Sequence, residues 1–211
     1  ALFLFDAFAH TDSGLKSFFG PESWQREFMT AALFFSLIFA VFWHKNDWIT
    51  SWALTFAGAL YIGWLGASAI LVRNLPNGLV WTAMALVTVW ATDTGAYFVG
   101  TRIGRRGFFT SISPKKTWEG AIGGTALAML TMLVLGSLLA GLPPLESLVF
   151  GFGISVAGTF GDLAESLMKR QTGVKDSGNI LPGHGGMLDR IDSLLFAAVF
   201  AYYFIIWVLR V

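Results

Sequence analysis

Residues 161–192 read GDLAESLMKRQTGVKDSGNILPGHGGMLDRID. This one stretch holds five of the chain's thirteen acidic residues (Asp162, Glu165, Asp176, Asp189 and Asp192), four of its fourteen bases and one of its three histidines. Apolar segments long enough to cross a bilayer flank it on both sides. A dense polar cluster at the edge of a hydrophobic protein is costly unless it is solvated, paired or bound to ions. The stretch therefore reads as the place where two membrane helices end and a functional site begins.

Outside it the chain is strongly apolar. Of its 211 residues, 13% are charged, against about 25% in ordinary globular domains. Mean hydropathy is +0.64, and there are twenty Phe and nine Trp. These values predict an all-α, polytopic membrane helix bundle. The net charge of +1 does not by itself name a partner, and no feature points to nucleic acid. With no cysteine, disulfides and thiolate metal sites are excluded. No cleavable signal peptide is recognisable. Residue 1 is Ala, and residues 1–9 read as the tail of a hydrophobic helix, so further N-terminal segments are expected to precede it.

A helix needs roughly 20 mostly apolar residues to cross a membrane. Six full spans are expected, at 27–43, 48–72, 78–101, 119–141, 147–168 and 191–210, in addition to the partial one at 1–9. Gly58, Gly63 and Gly66 in the second span permit close helix packing, and the glycine-rich spans leave room for a homodimer. There is no strand alternation, repeat or linker, so 1–211 reads as one integral-membrane domain with its site within 92–192. The loop 102–118 carries Arg102, Arg105, Arg106, Lys115 and Lys116; the loop 169–190 carries Lys169, Arg170, Lys175 and Arg190. Two spans separate the loops, so both lie on one side, and the positive-inside rule makes that side the cytoplasmic face of the inner membrane.

The chemistry-bearing residues collect on that face. Asp162, Glu165 and Lys169 are spaced to share one helical stripe. Glu165 with Lys169 can be read as an intrahelical ion pair; Asp162, set below the membrane surface, calls for a partner or a metal. Asp189 and Asp192 open the last span, where acids serve as helix caps or dipole partners. Acids at two facing helix ends also suit Mg²⁺, which is often held by one or two carboxylates and by substrate phosphates. His184, in Pro182-Gly183-His184-Gly185-Gly186, reads either as a phosphate contact in a backbone nest or as a solvated loop histidine. The basic loop, with Ser113, Lys115, Lys116 and Thr117 before Glu119 and Gly120, reads as a lipid-headgroup patch or as a phosphate site at a helix start. Asp93, inside the third span, faces a polar cavity or hydrogen-bonds Tyr97.

Taken together, Ser166-x-x-Lys169-Arg170, Lys175-Asp176-x-Gly178, Leu181-Pro182-Gly183-His184-Gly185-Gly186 and Asp189-Arg190-Ile191-Asp192 resemble the signature of the phosphatidate cytidylyltransferases, or CDP-diacylglycerol synthases. Asp93-Thr94-Gly95-Ala96-Tyr97-Phe98, Ser113-Pro114-Lys115-Lys116-Thr117-Trp118-Glu119-Gly120 and Gly161-Asp162-Leu163-x-Glu165-Ser166 are similar to other blocks of that family. The likeness is dense from Asp93 to Asp192. Thr110 is a departure, standing where the family often has Pro. The resemblance implies that CTP and phosphatidate give CDP-diacylglycerol and pyrophosphate in the presence of Mg²⁺, with a second cation left open. It implies Asp162 and Asp189 as the leading metal ligands, with Asp192 and Glu165 in support. Lys115, Lys116, Lys169, Arg170, Lys175 and Arg190 would handle the phosphates of CTP and phosphatidate, with Ser113, Thr117, His184, Gly185, Gly186 and Asp93 as further substrate contacts.

Two other functions fit parts of the pattern. A CTP-dependent lipid kinase would need a base beside a hydroxyl acceptor, which no residue demands. An ion or phosphate transporter would need polar residues through the whole bilayer, whereas the last two spans are polar only at one end.

Overall fold

The computed structural model describes residues 24–42, 47–174, 177–178 and 186–211, with side chains from residue 28 onward. Six helices are found among them: α1 (Trp24–Phe42), α2 (Trp48–Asn74), α3 (Gly78–Ile103), α4 (Trp118–Ala140), α5 (Pro144–Gln171) and α6 (Leu188–Leu209). The described residues form no strand, only an isolated bridge between Gly107 and Thr117. Each helix overlaps one expected span.

α2, α4, α5 and α6 are long and apolar enough to cross a membrane. The apolar part of α1, Phe28–Phe42, is shorter. α3 has the length, 26 residues, but Asp93, Arg102 and its threonines lower its hydropathy. The chain is thus an integral membrane protein, with four of the six expected spans meeting both criteria. Its surface fits lipid: Leu138, Leu145 and Trp207 are each at least 70% exposed, and apolar exposure of this extent needs an apolar environment.

The sequence reading treats the chain as one domain; in the structure it forms two compact units, Ala1–Asn74 and Leu75–Val211. In the first, the Trp52 indole donates to Ser36 Oγ at 2.9 Å and ties α2 to α1. The second unit holds α3 to α6 and all the described candidate site residues.

In the second unit, local chemistry sets the helix ends. The Trp81 indole donates to the Pro76 carbonyl at 2.9 Å beside the start of α3. Thr117 caps α4, its Oγ1 accepting from Gly120 N at 3.1 Å. Gly141, at φ 63°, turns the chain out of α4, and Pro144 opens α5 where its missing N–H costs nothing.

Small residues let these helices approach. A Cβ on Gly124 would lie 2.5 Å from the Thr92 carbonyl of α3, and one on Gly151 would lie 2.9 Å from the Ala128 carbonyl of α4. The resulting contact surfaces bury Met84, Ala128, Met132, Phe150, Ile154 and Ala201 completely. Phe150 stacks on Phe204 with centroids 4.7 Å apart. Thr88 and Thr92 donate to carbonyls one turn back, and Thr125 meets Ser155 at 3.0 Å between α4 and α5.

Candidate active site

The basic loop between α3 and α4 is a folded hairpin. Phe108 N donates to the Lys116 carbonyl at 2.8 Å and Trp118 N to the Arg106 carbonyl at 2.9 Å. Phe109, at φ 50°, makes the turn, with its carbonyl accepting from Ile112 N and Ser113 N at 2.9 Å. Phe108 is buried under the hairpin, edge-on to Trp118 at 4.5 Å, and Phe109 meets Phe160 of α5. Glu119 fastens the other strand of the loop: its Oε2 accepts from Arg105 N at 3.1 Å and Arg106 N at 3.2 Å.

The hairpin brings Lys116 over α5, where its ammonium lies 2.6 Å from Asp162 Oδ2. Ser166, one turn on, donates to the other Asp162 oxygen at 3.3 Å. Asp93 of α3 and Asp192 of α6 are close enough to Asp162, and to each other, for their charges to interact. The approach of α6 depends on Gly161, where a Cβ would fall 2.6 Å from the Asp192 carbonyl. Carboxylates from three helices therefore lie within electrostatic reach of one another, with Lys116 paired to Asp162.

Two cavities open here. The larger, about 570 Å³, is lined by Asp93, Tyr97, Lys115, Lys116, Thr117 and Asp162 together with apolar and small residues of α3, α4, α5 and the hairpin. The smaller, about 360 Å³, is lined by Ile112, Ser113, Pro114, Lys115, Ser166, Lys169, Arg170 and Val174. Lys115 belongs to both walls. Arg170 Nε donates to the Ile112 carbonyl at 3.3 Å, which holds its guanidinium against the hairpin.

The remaining acids form a second group. Glu165 is buried, 1% exposed, and ion-paired with Lys169 one turn on, as its helical spacing indicates. Lys169 also donates to Asp189 Oδ1 at 2.7 Å. Asp189 Oδ2 accepts from Ser177 N at 2.9 Å, Ser177 Oγ at 2.8 Å and Gly186 N at 2.8 Å. The four carboxylates expected to serve a metal thus divide: Asp162 and Asp192 stand with Asp93, and Glu165 and Asp189 stand with Lys169. The Gly186 amide, expected to face substrate, is taken up by Asp189. Arg190 is exposed on the first turn of α6. Lys175, His184 and Gly185 lie outside the described residues.

Ser177 was not singled out by the sequence: its partner Asp189 is twelve residues on, a spacing that matches no helical or strand period. Glu119 was visible only as part of a helix start.

The profile of the cytidylyltransferase family matches residues 2–208. The chain belongs to that family. It is 48% identical over 148 residues to the phosphatidate cytidylyltransferase of Bacillus subtilis (strain 168), covering 69% of this chain and 55% of that protein. It is 44% identical over 154 residues to the phosphatidate cytidylyltransferase of Brucella suis biovar 1 (strain 1330), covering 70% and 55%. An uncharacterized Escherichia coli (strain K12) protein, YnbB, is 38% identical over 172 residues, covering 82% and 55%. The chain spans about half the length of the curated relatives it matches. In this cytidylyltransferase-family chain, the basic hairpin and the acids of α3, α5 and α6 meet at one end of the helices.

Proposed function

We propose that this protein transfers a cytidylyl group from CTP to phosphatidate, giving CDP-diacylglycerol and pyrophosphate for phospholipid synthesis at the cytoplasmic face of the inner membrane. The names of two relatives support the substrate pair. The observation that carries the reading is the pair of cavities sharing Lys115, one purely basic in its charges and one holding two carboxylates and two lysines, at the end of membrane helices.

The reaction is a displacement at phosphorus. A phosphate oxygen of phosphatidate forms a bond to the α-phosphorus of CTP, the bond from that phosphorus to the bridging oxygen breaks, and pyrophosphate leaves. The nucleophile is already ionised, so no strong base is required. Alignment and charge neutralisation do most of the work in such transfers. Lys115, Arg170, Ser113 and Ser166 suit the triphosphate in the smaller cavity. Lys116 and Thr117 suit the lipid phosphate in the larger one, whose apolar wall leads the acyl chains back to the bilayer. Lys175, His184, Gly185 and Arg190 belong to the same proposal as further phosphate contacts.

Mg²⁺ fits the donor set. Asp93 and Asp162 offer hard carboxylate oxygens on one cavity wall, with Asp192 beside them. Among the described residues no group of three or more acids and imidazoles is arranged to hold a cation. Substrate phosphates would therefore complete the shell, which is how Mg²⁺ is often bound. Asp162 would be the principal ligand, with Asp93 and Asp192 in support; when bound, Mg²⁺ neutralises charge on the phosphates. Assembly as a homodimer through glycine-rich helices is part of the same proposal.

A turnover assay with protein in detergent, phosphatidate and CTP tests the reading. Label on the CTP α-phosphate should enter the lipid fraction in the presence of Mg²⁺ and stay aqueous in its absence. Entry of γ-label into a lipid alcohol, with α-label left in water, would replace this reading with a lipid kinase.

A further inference from the structure

The geometry points to Asp189 as a positioning residue, a single carboxylate that clamps Ser177 and Gly186 to α5 and to the start of α6. A carboxylate has about four acceptor positions, and among the described residues Asp189 accepts from Lys169 Nζ on Oδ1 and from Ser177 N, Ser177 Oγ and Gly186 N on Oδ2. The contact is returned, since Asp189 N donates to Ser177 Oγ at 3.3 Å. One side chain thus joins the last turn of α5, the residues on both sides of 179–185, and the first turn of α6. Charge-assisted bonds of this kind are stronger than neutral ones, and the Asp189 side chain is only 15% exposed.

A second observation fixes the same geometry. A Cβ at Gly186 would fall 2.2 Å from Ser177 Oγ and 2.6 Å from Gly178 N. Only glycine lets the two flanks of the loop meet at the carboxylate. The clamp also determines where Lys169 stands. With Glu165 on one side and Asp189 on the other, its ammonium is held at the wall of the smaller cavity. In this role Asp189 acts through Lys169, Ser177 and Gly186. Only the effect on CTP turnover rests on the cavity being a phosphate site.

Hydrogen exchange read by mass spectrometry tests the clamp on the protein in detergent, with no substrate. Asp189→Asn keeps the shape but removes the charge and leaves one oxygen for four donors. Ser177 and Gly186 amides should exchange about tenfold faster or more in it, the scale of a lost charge-assisted bond. Ser177→Ala should show a smaller rise of the same kind, and Ser177→Thr, which restores the hydroxyl, should return exchange toward the parent value. Mn²⁺ affinity, measured by electron paramagnetic resonance, should be unchanged in Asp189→Asn. In turnover, Ser177→Ala should raise KM for CTP more than it lowers kcat. Unchanged exchange at both amides in Asp189→Asn and in Ser177→Ala would overturn the clamp, and so would lost Mn²⁺ affinity with exchange unchanged. The exchange arm reads the clamp even if cytidylyl transfer is not the reaction.

Discussion

Lys116 Nζ and Asp162 Oδ2 stand 2.6 Å apart, joining a folded hairpin to a membrane helix at the wall of a cavity. Both side chains keep partial access to water, 24% and 35%. An ion pair so exposed contributes only about 0–1 kcal/mol to stability. Its position, within electrostatic reach of Asp93 and Asp192, matters more than its strength. We therefore expect Lys116→Met to lower kcat/KM about 100-fold, the scale for removing one preorganised charge stabiliser. Thermal unfolding in detergent should barely move. A large loss of stability with retained activity would make the pair structural.

The loop anchor makes a different prediction. Glu119 accepts the Arg105 and Arg106 amides, so Glu119→Ala should release the first strand of the hairpin and raise KM several-fold. Glu119→Gln keeps a carbonyl oxygen in place and should restore most of the activity. Steady-state kinetics on the two variants, with exchange at the two amides, checks both points.

Helix approach can be tested by comparing two glycines. At Gly124 a methyl group would meet the Thr92 carbonyl at 2.5 Å, whereas at Gly58 nothing lies within 4 Å. Gly124→Ala should destabilise by about 1–3 kcal/mol, as overpacking does. Gly58→Ala should stay within about 0.5 kcal/mol, as substitutions away from packed features do. Detergent-based thermal or denaturant unfolding distinguishes them.

Much of this architecture is legible in the sequence. Hydropathy marks helices at all six expected positions, a helix start is read where Ser113 or Thr117 precedes Glu119 and Gly120, and the four-residue spacing of Glu165 and Lys169 gives their ion pair. The arrangement between helices is less accessible. Periodicity shows which face of a helix is polar but not which faces meet, so the convergence of Asp93, Asp162 and Asp192 depends on contacts such as Gly161 against the Asp192 backbone. Asp189 illustrates the same limit. At the start of a helix it reads as a cap or a metal ligand, and its partners Ser177 and Lys169, twelve and twenty residues away, emerge only in the folded chain. The third span reads as a full crossing by length, yet the polar residues that build the cavity are the ones that lower its hydropathy.

Chelation bears on the metal. If Asp162 is the principal Mg²⁺ ligand, EDTA should abolish turnover and added Mg²⁺ should restore it. Asp162→Asn should also weaken Mn²⁺ binding by about tenfold or more, the range reported for disturbing a metal's supporting groups.

The central claim is that cytidylyl transfer takes place where Lys116 meets Asp162. Its most direct test is the rate at which α-phosphate label passes from CTP into lipid in Asp162→Asn, measured beside Asp47→Asn. Asp47 lies in the left-handed turn that opens α2, where Asn is readily accommodated. Loss of about 1,000-fold or more in Asp162→Asn, with Asp47→Asn near the parent rate, is the predicted result. Substantial transfer in a folded Asp162→Asn protein would contradict the account.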